Sequence, residues 1–428
     1  MREDNEFRQL LADAELRQYW TFDQLQAFQE KELGSLLNRA AITVPHYQQL
    51  LSQNSSVALE PLKKLTQLPL LTKRDIKANP AAFIASDMPK GPRFSISTSG
   101  TTGSPLTLFQ TLNSIKRETA FARRQMHWAG YKEGDKLAWI RGDMIVPVAD
   151  QNPPFWRFNR SANSLMMSSY HLSEKNVSAY LEALREFNPV LIQAYPSSIS
   201  YLANWLLNNG QQANLSALKG IMTSSETLTN VQREQIETSF GVQVFDWYGS
   251  VERVAAIGTC EYGRYHIIED YSYLELGSSS DDTAEIIGTG FNNALMPLIR
   301  YATGDSVELE TSGTQCDCKR AFRLVKTIIG RMDDTIKTPD GRAIGRLDHI
   351  YKGVFDINEA QIVQETLNTI EIRVVPARNG GLPETTKQQL KLNLQARIGL
   401  DMDIHIVKVA SLPRTKNGKL LAVISKIK

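Results

Sequence analysis

Between residues 173 and 247 the spacing of apolar side chains changes period several times, and each change predicts an element. Val177, Tyr180, Leu181, Leu184 and Phe187 recur three and four residues apart, which predicts a helix capped by Ser173 and ended before Pro189. Val190-Leu191-Ile192 follows as a short, continuously apolar strand. A second helix carries Ile199, Leu202, Trp205 and Leu206 on one face and stops at Asn208-Asn209-Gly210. Gly220-Ile221-Met222 then reads as a strand, residues near 227–239 as a helix and 242–247 as a further strand. Strand and helix in alternation predict an α/β fold with a mostly parallel sheet. In such sheets ligands sit beyond the carboxyl ends of the strands. Thr223-Ser224-Ser225-Glu226 and Tyr248-Gly249-Ser250-Val251-Glu252 fall at that place.

The last hundred residues have a different texture. Ile370, Ile372 and Val374 alternate with Glu371 and Arg373, the pattern of a half-buried strand. Asn379-Gly380-Gly381 predicts a turn. Residues 384–398 place Leu390, Leu394 and Ile398 on one helical face, with Gly399 just beyond, and 403–410 reads as another strand. This is a small α+β unit. The expected organisation is a large domain over residues 1–329 and a small domain over 335–428, with the boundary near Gly330. A chain of 428 residues is too long for one ordinary core, which agrees with that division.

Composition narrows the function classes. Apolar residues make up 42% and charged residues 22%, as in globular proteins. A formal net charge of +2 offers no support for a nucleic-acid or anionic-membrane partner. Residues 331–428 hold 16 Lys+Arg against 11 Asp+Glu, a mild excess that suits either a phosphorylated ligand or plain solvation. The first residues lack the apolar core of a signal peptide, and no later run is long enough to span a bilayer, so a cytoplasmic protein is expected. Three cysteines do not make a disulfide framework.

Residues 97–106 read STSGTTGSPL. Small residues let backbone N–H groups approach an anion, and the hydroxyls add donors, so the segment suits phosphate. It lacks the Gly-Lys-Ser/Thr ending of a Walker loop, and a solvated linker has the same composition. Glu252 taken alone is a surface acid, Tyr301-Ala302-Thr303-Gly304-Asp305 a turn, Gly330-Arg331-Met332-Asp333-Asp334 a charged hinge and Pro413-Arg414-Thr415-Lys416-Asn417-Gly418-Lys419 a basic tail. Their order changes that reading. STSGTTG, YGSVE, YATGD, GRMDD and PRTKNGK in succession resemble the adenylate-forming superfamily of acyl-CoA ligases. Leu68-Pro69-Leu70-Leu71-Thr72-Lys73, Tyr195-Pro196-Ser197-Ser198 and Gly345-Arg346-Leu347-Asp348-His349-Ile350 are similar to its phenylacetate–CoA ligase branch. Ser169-Tyr170-His171-Leu172-Ser173 is similar to a subgroup associated with capsular polysaccharide biosynthesis. Many superfamily members carry Lys after the proline of the first motif, whereas Leu106 stands here, as is common in this branch.

The resemblance implies roles residue by residue. Thr98, Ser99, Gly100, Thr101, Thr102 and Gly103 would cradle the phosphates of ATP. Ser224, Ser225 and Glu226 would line the adenine pocket, with Tyr248 stacked on the base. Glu252 would hold Mg²⁺, Asp305 would accept the ribose hydroxyls, and Arg331 would meet the ribose or phosphate side. Lys419 would bridge the carboxylate and the α-phosphate, and Asp333 would be the pivot of the small domain. The implied activity is AMP-forming activation of a carboxylic acid and transfer of the acyl group to a thiol, coenzyme A. Transfer to an amine or hydroxyl is the first alternative, and a zinc-stabilised nucleotide-binding protein without catalysis the second. The partners are then small molecules, and a homodimer is compatible with everything above.

Cys260-x5-His266 and Cys316-x-Cys318 include every cysteine of the chain. Three thiolates and an imidazole are a donor set that Zn²⁺ prefers, and a closed set of four would be structural. The spacing is not that of a standard finger, and three reduced buried thiols beside a core histidine fit the same residues. A similar set occurs in part of the phenylacetate-ligase branch.

Overall fold

The computed structural model describes residues 4–52, 60–88, 91–97, 106–147, 149–278, 282–311, 313–331, 336–339, 343–344, 347–351, 354, 356–377, 381–414 and 420–427. The chain divides into two compact units, residues 1–128 with 247–328 and residues 129–246 with 329–428. The fold class is α/β, as the periodicity predicts.

In the second unit three neighbouring strand pairs run parallel. Leu137–Arg141 lies between Ser164–Ser168 and Leu191–Ala194, and the latter pairs with Gly220–Ser224. The helices Val177–Phe187, Pro196–Asn208 and Asn230–Phe240 cover them and contribute Tyr180, Leu184, Ile199, Leu202 and Ile236 to the same apolar core as Ile140, Ile192 and Ile221. The predicted first helix begins later than Ser173. The Ser173 carbonyl accepts from Asn176 N and Val177 N in a preceding turn, and Asn176 is the N-cap. Asn188 ends the helix at φ 48, a left-handed conformation that asparagine tolerates. The third helix starts one turn later than its apolar spacing suggests because Thr229 and Gln232 form a capping box.

The same unit contains the C-terminal sheet, in the order Asp403–Lys408, Thr369–Pro376, Ile357–Thr366, Val423–Ser425. The helix Glu384–Ile398 matches the predicted range and buries Leu390, Leu394 and Ile398 against Ile370, Ile372 and Val374. Of the predicted turn 379–381, only Gly381 lies among the described residues.

The first unit is antiparallel. Its strands follow the order Ser272–Ser278, Thr283–Gly290, Tyr301–Leu309, Leu324–Arg331, Tyr265–Ile267, Ala256–Thr259. The long helix Phe22–Thr43 buries Leu33, Leu37 and Ala40 at near one-turn spacing in a core with Ile257, Ile286 and Val307. Leu106 is also a member of that core, 1% exposed, so the position after the proline of the first motif is a packing site. Among the described residues no helix is long and apolar enough to cross a membrane.

Candidate active site and cysteine cluster

In the first unit two of the motifs meet. The strand Gln243–Gly249 carries Tyr248 as its penultimate residue, and the strand Tyr301–Leu309 carries Asp305. Tyr248 Oη donates to Asp305 Oδ2 at 2.6 Å across a separation of 57 residues. Burial first, then the neighbouring Asp305 carboxylate, push the Tyr248 phenol well above its usual range, so it stays a neutral donor. Tyr301 Oη donates to Glu252 Oε1 at 3.0 Å. The YATGD segment is not the turn its residues suggest but a bulged start of the strand Tyr301–Leu309, where Thr303 Oγ1 accepts from Asp305 N at 3.1 Å and Gly304 holds φ 75. Arg253, next to Glu252, is left-handed at φ 61 and pairs with Glu118 at 2.8 Å. A non-glycine residue held in that region costs of order 1–3 kcal/mol and persists where its surroundings over-determine it. Glu252, half-buried, is a hard oxygen donor of the kind Mg²⁺ takes alongside phosphate oxygens.

In the second unit the parallel register brings a different group together. Ile140 pairs with Ala194, and Ala194 with Thr223, so the residues that follow these strands share one edge. Arg141, Tyr195, Ser225 and Glu226 are those residues. Ser225 holds φ 73, and its hydroxyl accepts from Arg141 Nη2 at 2.7 Å. Glu226 Oε2 accepts from Ser197 N at 3.0 Å, and Glu226 Oε1 accepts from Leu420 N at 2.7 Å, across 194 residues. Arg414 Nη1 donates to Ser197 Oγ at 3.1 Å and Arg414 pairs with Glu359. Arg414 and Leu420 form an antiparallel bridge, so both flanks of the PRTKNGK segment are tied beside the Ser-Ser-Glu turn.

Several predicted site residues, namely Thr98, Ser99, Gly100, Thr101, Thr102, Gly103, Asp333 and Lys419, lie outside the described residues, as does the side chain of Arg331. The flanks of the first motif, Phe94–Ser97 and Thr107–Gln110, pair as an antiparallel ribbon with Ser97 opposite Thr107. Sequence reasoning missed Arg141, Asp143, Tyr301, Glu359 and Arg414 as partners of the site. For Arg141 a signal existed: the apolar run Leu137–Ile140 breaks abruptly into Arg-Gly-Asp.

The cysteines and His266 converge. The donor atoms of Cys260, His266, Cys316 and Cys318 all lie within 4.8 Å of one another. Cys260 Sγ to Cys316 Sγ is 3.6 Å, too long for a disulfide, and Cys318 Sγ to His266 Nε2 is 3.4 Å. The edges of a zinc tetrahedron with sulfur and nitrogen ligands are about 3.5–3.8 Å, from bond lengths of roughly 2.0–2.3 Å. His266 Nδ1 lies 3.3 Å from the Phe322 carbonyl, which leaves Nε2 for the cluster. Cys260 and His266 flank the hairpin joining Ala256–Thr259 to Tyr265–Ile267, while Cys316 and Cys318 precede Leu324–Arg331. The hydrogen bond from Cys260, helped by that with His266, pulls the Cys318 thiol down, while the same bond and burial push Cys260 up and burial pushes Cys316 up, so of the three only Cys318 is biased to thiolate.

With this geometry in place, similarity to known proteins becomes informative. Residues 336–426 match the family model described as the CapK C-terminal domain. Protein CapK of Staphylococcus aureus is 29% identical over 371 residues, 85% of this chain and 81% of that protein. The phenylacetate-coenzyme A ligase of Escherichia coli (strain K12) is 26% identical over 434 residues, 94% of each. Among solved structures, 2-hydroxyisobutyryl-CoA ligase in the postadenylation state, in complex with R3-HIB-AMP, superposes with a TM-score of 0.72 at 18% identity, covering 96% of this chain and 91% of that one. The chain is thus homologous to Protein CapK and to the phenylacetate–CoA ligases, carries a CapK C-terminal domain and has the fold of the adenylate-forming CoA ligases.

Proposed function

We propose that this protein activates a carboxylic acid with ATP as an acyl-adenylate and passes the acyl group to a thiol, coenzyme A. The observation that carries this reading is the meeting of two motifs in one unit, with Tyr248 on Asp305 and Tyr301 on Glu252. A carboxylate is a poor acylating agent because its leaving group would be oxide. Attack of a carboxylate oxygen on the α-phosphorus of ATP breaks the bond to the β-phosphate, and pyrophosphate leaves. Such a reaction needs two anions held together and charge stabilised as it spreads over the phosphates. Glu252 would hold magnesium, which offsets the charge of the phosphate oxygens. The Tyr248 hydroxyl orients Asp305, which would accept the ribose hydroxyls, and the Tyr248 ring would stack on the base. Lys419 would bridge the acid and the α-phosphate, and Thr98 to Gly103 would donate to the departing pyrophosphate. Residues 1–329 would act as the adenylation domain and 335–428 as a lid that pivots at Asp333.

A structural zinc held by Cys260, His266, Cys316 and Cys318 belongs to the same proposal, supported by distances that match the edges of a tetrahedral set. Pyrophosphate–ATP exchange across a panel of carboxylic acids tests the catalytic reading. Acid-dependent exchange that falls at least about 100-fold in Lys419→Ala is the expected result, because a charge met only in the transition state is removed. Exchange that is insensitive to Lys419→Ala, or independent of added acid, would overturn it.

A further inference from the structure

Arg141 is the last residue of the central parallel strand Leu137–Arg141, at the carboxyl edge where this fold class binds ligands. Its guanidinium lies over the Trp139 ring, 4.9 Å from the centroid, and over the Tyr195 ring at 5.2 Å. A guanidinium presents five N–H donors, and the hydrogen bonds described for this one go to the Ser225 hydroxyl and to the Tyr195 side chain. Among the described residues no carboxylate forms an ion pair with it. The two nearest acids on this edge are committed elsewhere. Asp143 accepts from Trp139 Nε1 at 2.6 Å, and both oxygens of Glu226 accept backbone N–H groups. They act on Arg141 only as longer-range charges.

Surrounding protein desolvates the guanidinium, yet the side chain keeps solvent contact. Other arginines show the contrast. Arg124 grips Asp270 with two hydrogen bonds at 2.9 Å, and Arg300 grips Glu275. A desolvated charge without an ion pair is costly, and such a residue persists where a ligand completes it. A second polar atom on the same edge is also without a partner. His171 follows the neighbouring strand Ser164–Ser168, whose last residue pairs with Arg141. His171 is 8% exposed; its Nδ1 lies 2.8 Å from Ser168 Oγ, and its Nε2 has no hydrogen-bond partner. The hydroxyl of Tyr170, beside it, donates to the Gly142 carbonyl at 3.0 Å and ties this turn to the one that carries Arg141.

We infer that Arg141 receives a second anionic group, carboxylate or phosphate, on the acid that this protein activates, so that its substrates are acids bearing two anions. The inference rests on the ligase reading above. A fork of donors suits a planar carboxylate or a phosphate and has nothing to offer the end of an alkyl chain, while the stacking faces that a phenyl end would use are already taken up by Trp139 and Tyr195.

Matched acids test it: succinate against butyrate, isophthalate against benzoate, and 3-phosphoglycerate against glycerate, each assayed by pyrophosphate–ATP exchange. Wild type, Arg141→Gln and Arg141→Lys are compared, with a thermal melt to establish that each variant folds. The expected result is faster exchange with the dianionic member of at least one pair. In Arg141→Gln that advantage falls by about 100-fold or more, and exchange with the monoanionic partner falls by a clearly smaller factor. Arg141→Lys restores part of it, which a purely structural role would not produce. The carboxylate pairs and the phosphate pair separate the two kinds of anion. Faster exchange with the monoanionic members, or an equal loss for both members in Arg141→Gln, overturns the inference and leaves the ligase reading intact. No exchange with any acid, although ATP binds, removes the ligase reading and this inference with it.

Discussion

The charged groups of the motifs in the first unit and the guanidinium at the parallel edge of the second make a contrast. In the first unit Tyr248 meets Asp305, Tyr301 meets Glu252, Arg253 Nη1 meets Glu118, and three thiols with one imidazole close on themselves. At the parallel edge of the second unit Arg141 has no ion-pair partner and His171 Nε2 no hydrogen-bond partner among the described residues. Mutual satisfaction holds side chains in fixed geometry, which suits a nucleotide that is the same in every turnover. Unsatisfied donors wait for an atom the protein does not contain. That is the condition of a surface that selects a variable substrate.

The comparison breaks most visibly if the first unit is not held together as described. The cysteine cluster should give the largest effect. Protein purified without chelator is expected to carry about one zinc per chain. Cys318→Ser should lower Tm by about 10 °C or more, since loss of a structural metal removes folding free energy. Metal analysis with scanning calorimetry checks this, and substoichiometric zinc with an unchanged Tm would leave the thiols as ordinary buried residues.

Tyr248→Phe is the next in size. It keeps the ring but removes the donor to Asp305, so adenylation should weaken by about 10-fold, mainly through a higher KM for ATP. An unchanged KM would mean that the Tyr248–Asp305 bond does not orient the ribose acceptor.

Glu226→Gln is the smallest. Its carboxylate holds Ser197 N and Leu420 N, and the amide keeps only one acceptor oxygen. The loss should be about 1–2 kcal/mol locally, seen as faster amide exchange at Leu420 with little change in Tm. Unaltered exchange there would show that the Arg414–Glu359 pair alone anchors the C-terminal segment.

Much of the second unit was legible because its elements are local. The helix Glu384–Ile398 declares itself by Leu390, Leu394 and Ile398, and the strand Thr369–Pro376 by strict alternation. Errors arose where caps compete with apolar spacing, as at Ser173 against Asn176 and at the start of Asn230–Phe240. The long helix Phe22–Thr43 went unread because its apolar residues are widely spread, with Gln29 and Thr43 buried among them. Leu106 was noted as a missing lysine, and only packing revealed it as core.

By itself, then, the sequence determined the element types of the parallel region, the order of the five motifs and the identity of the four thiol and imidazole donors. Those follow from periodicity and residue chemistry, which act over a few positions. Tertiary structure alone decided that Tyr248 finds Asp305 57 residues away, that Glu226 holds Leu420 across 194 residues, and that Arg141 has no ion pair among the described residues. Strand register and chain crossing set these outcomes, because a side chain's partner depends on which strands become neighbours and no local pattern encodes that.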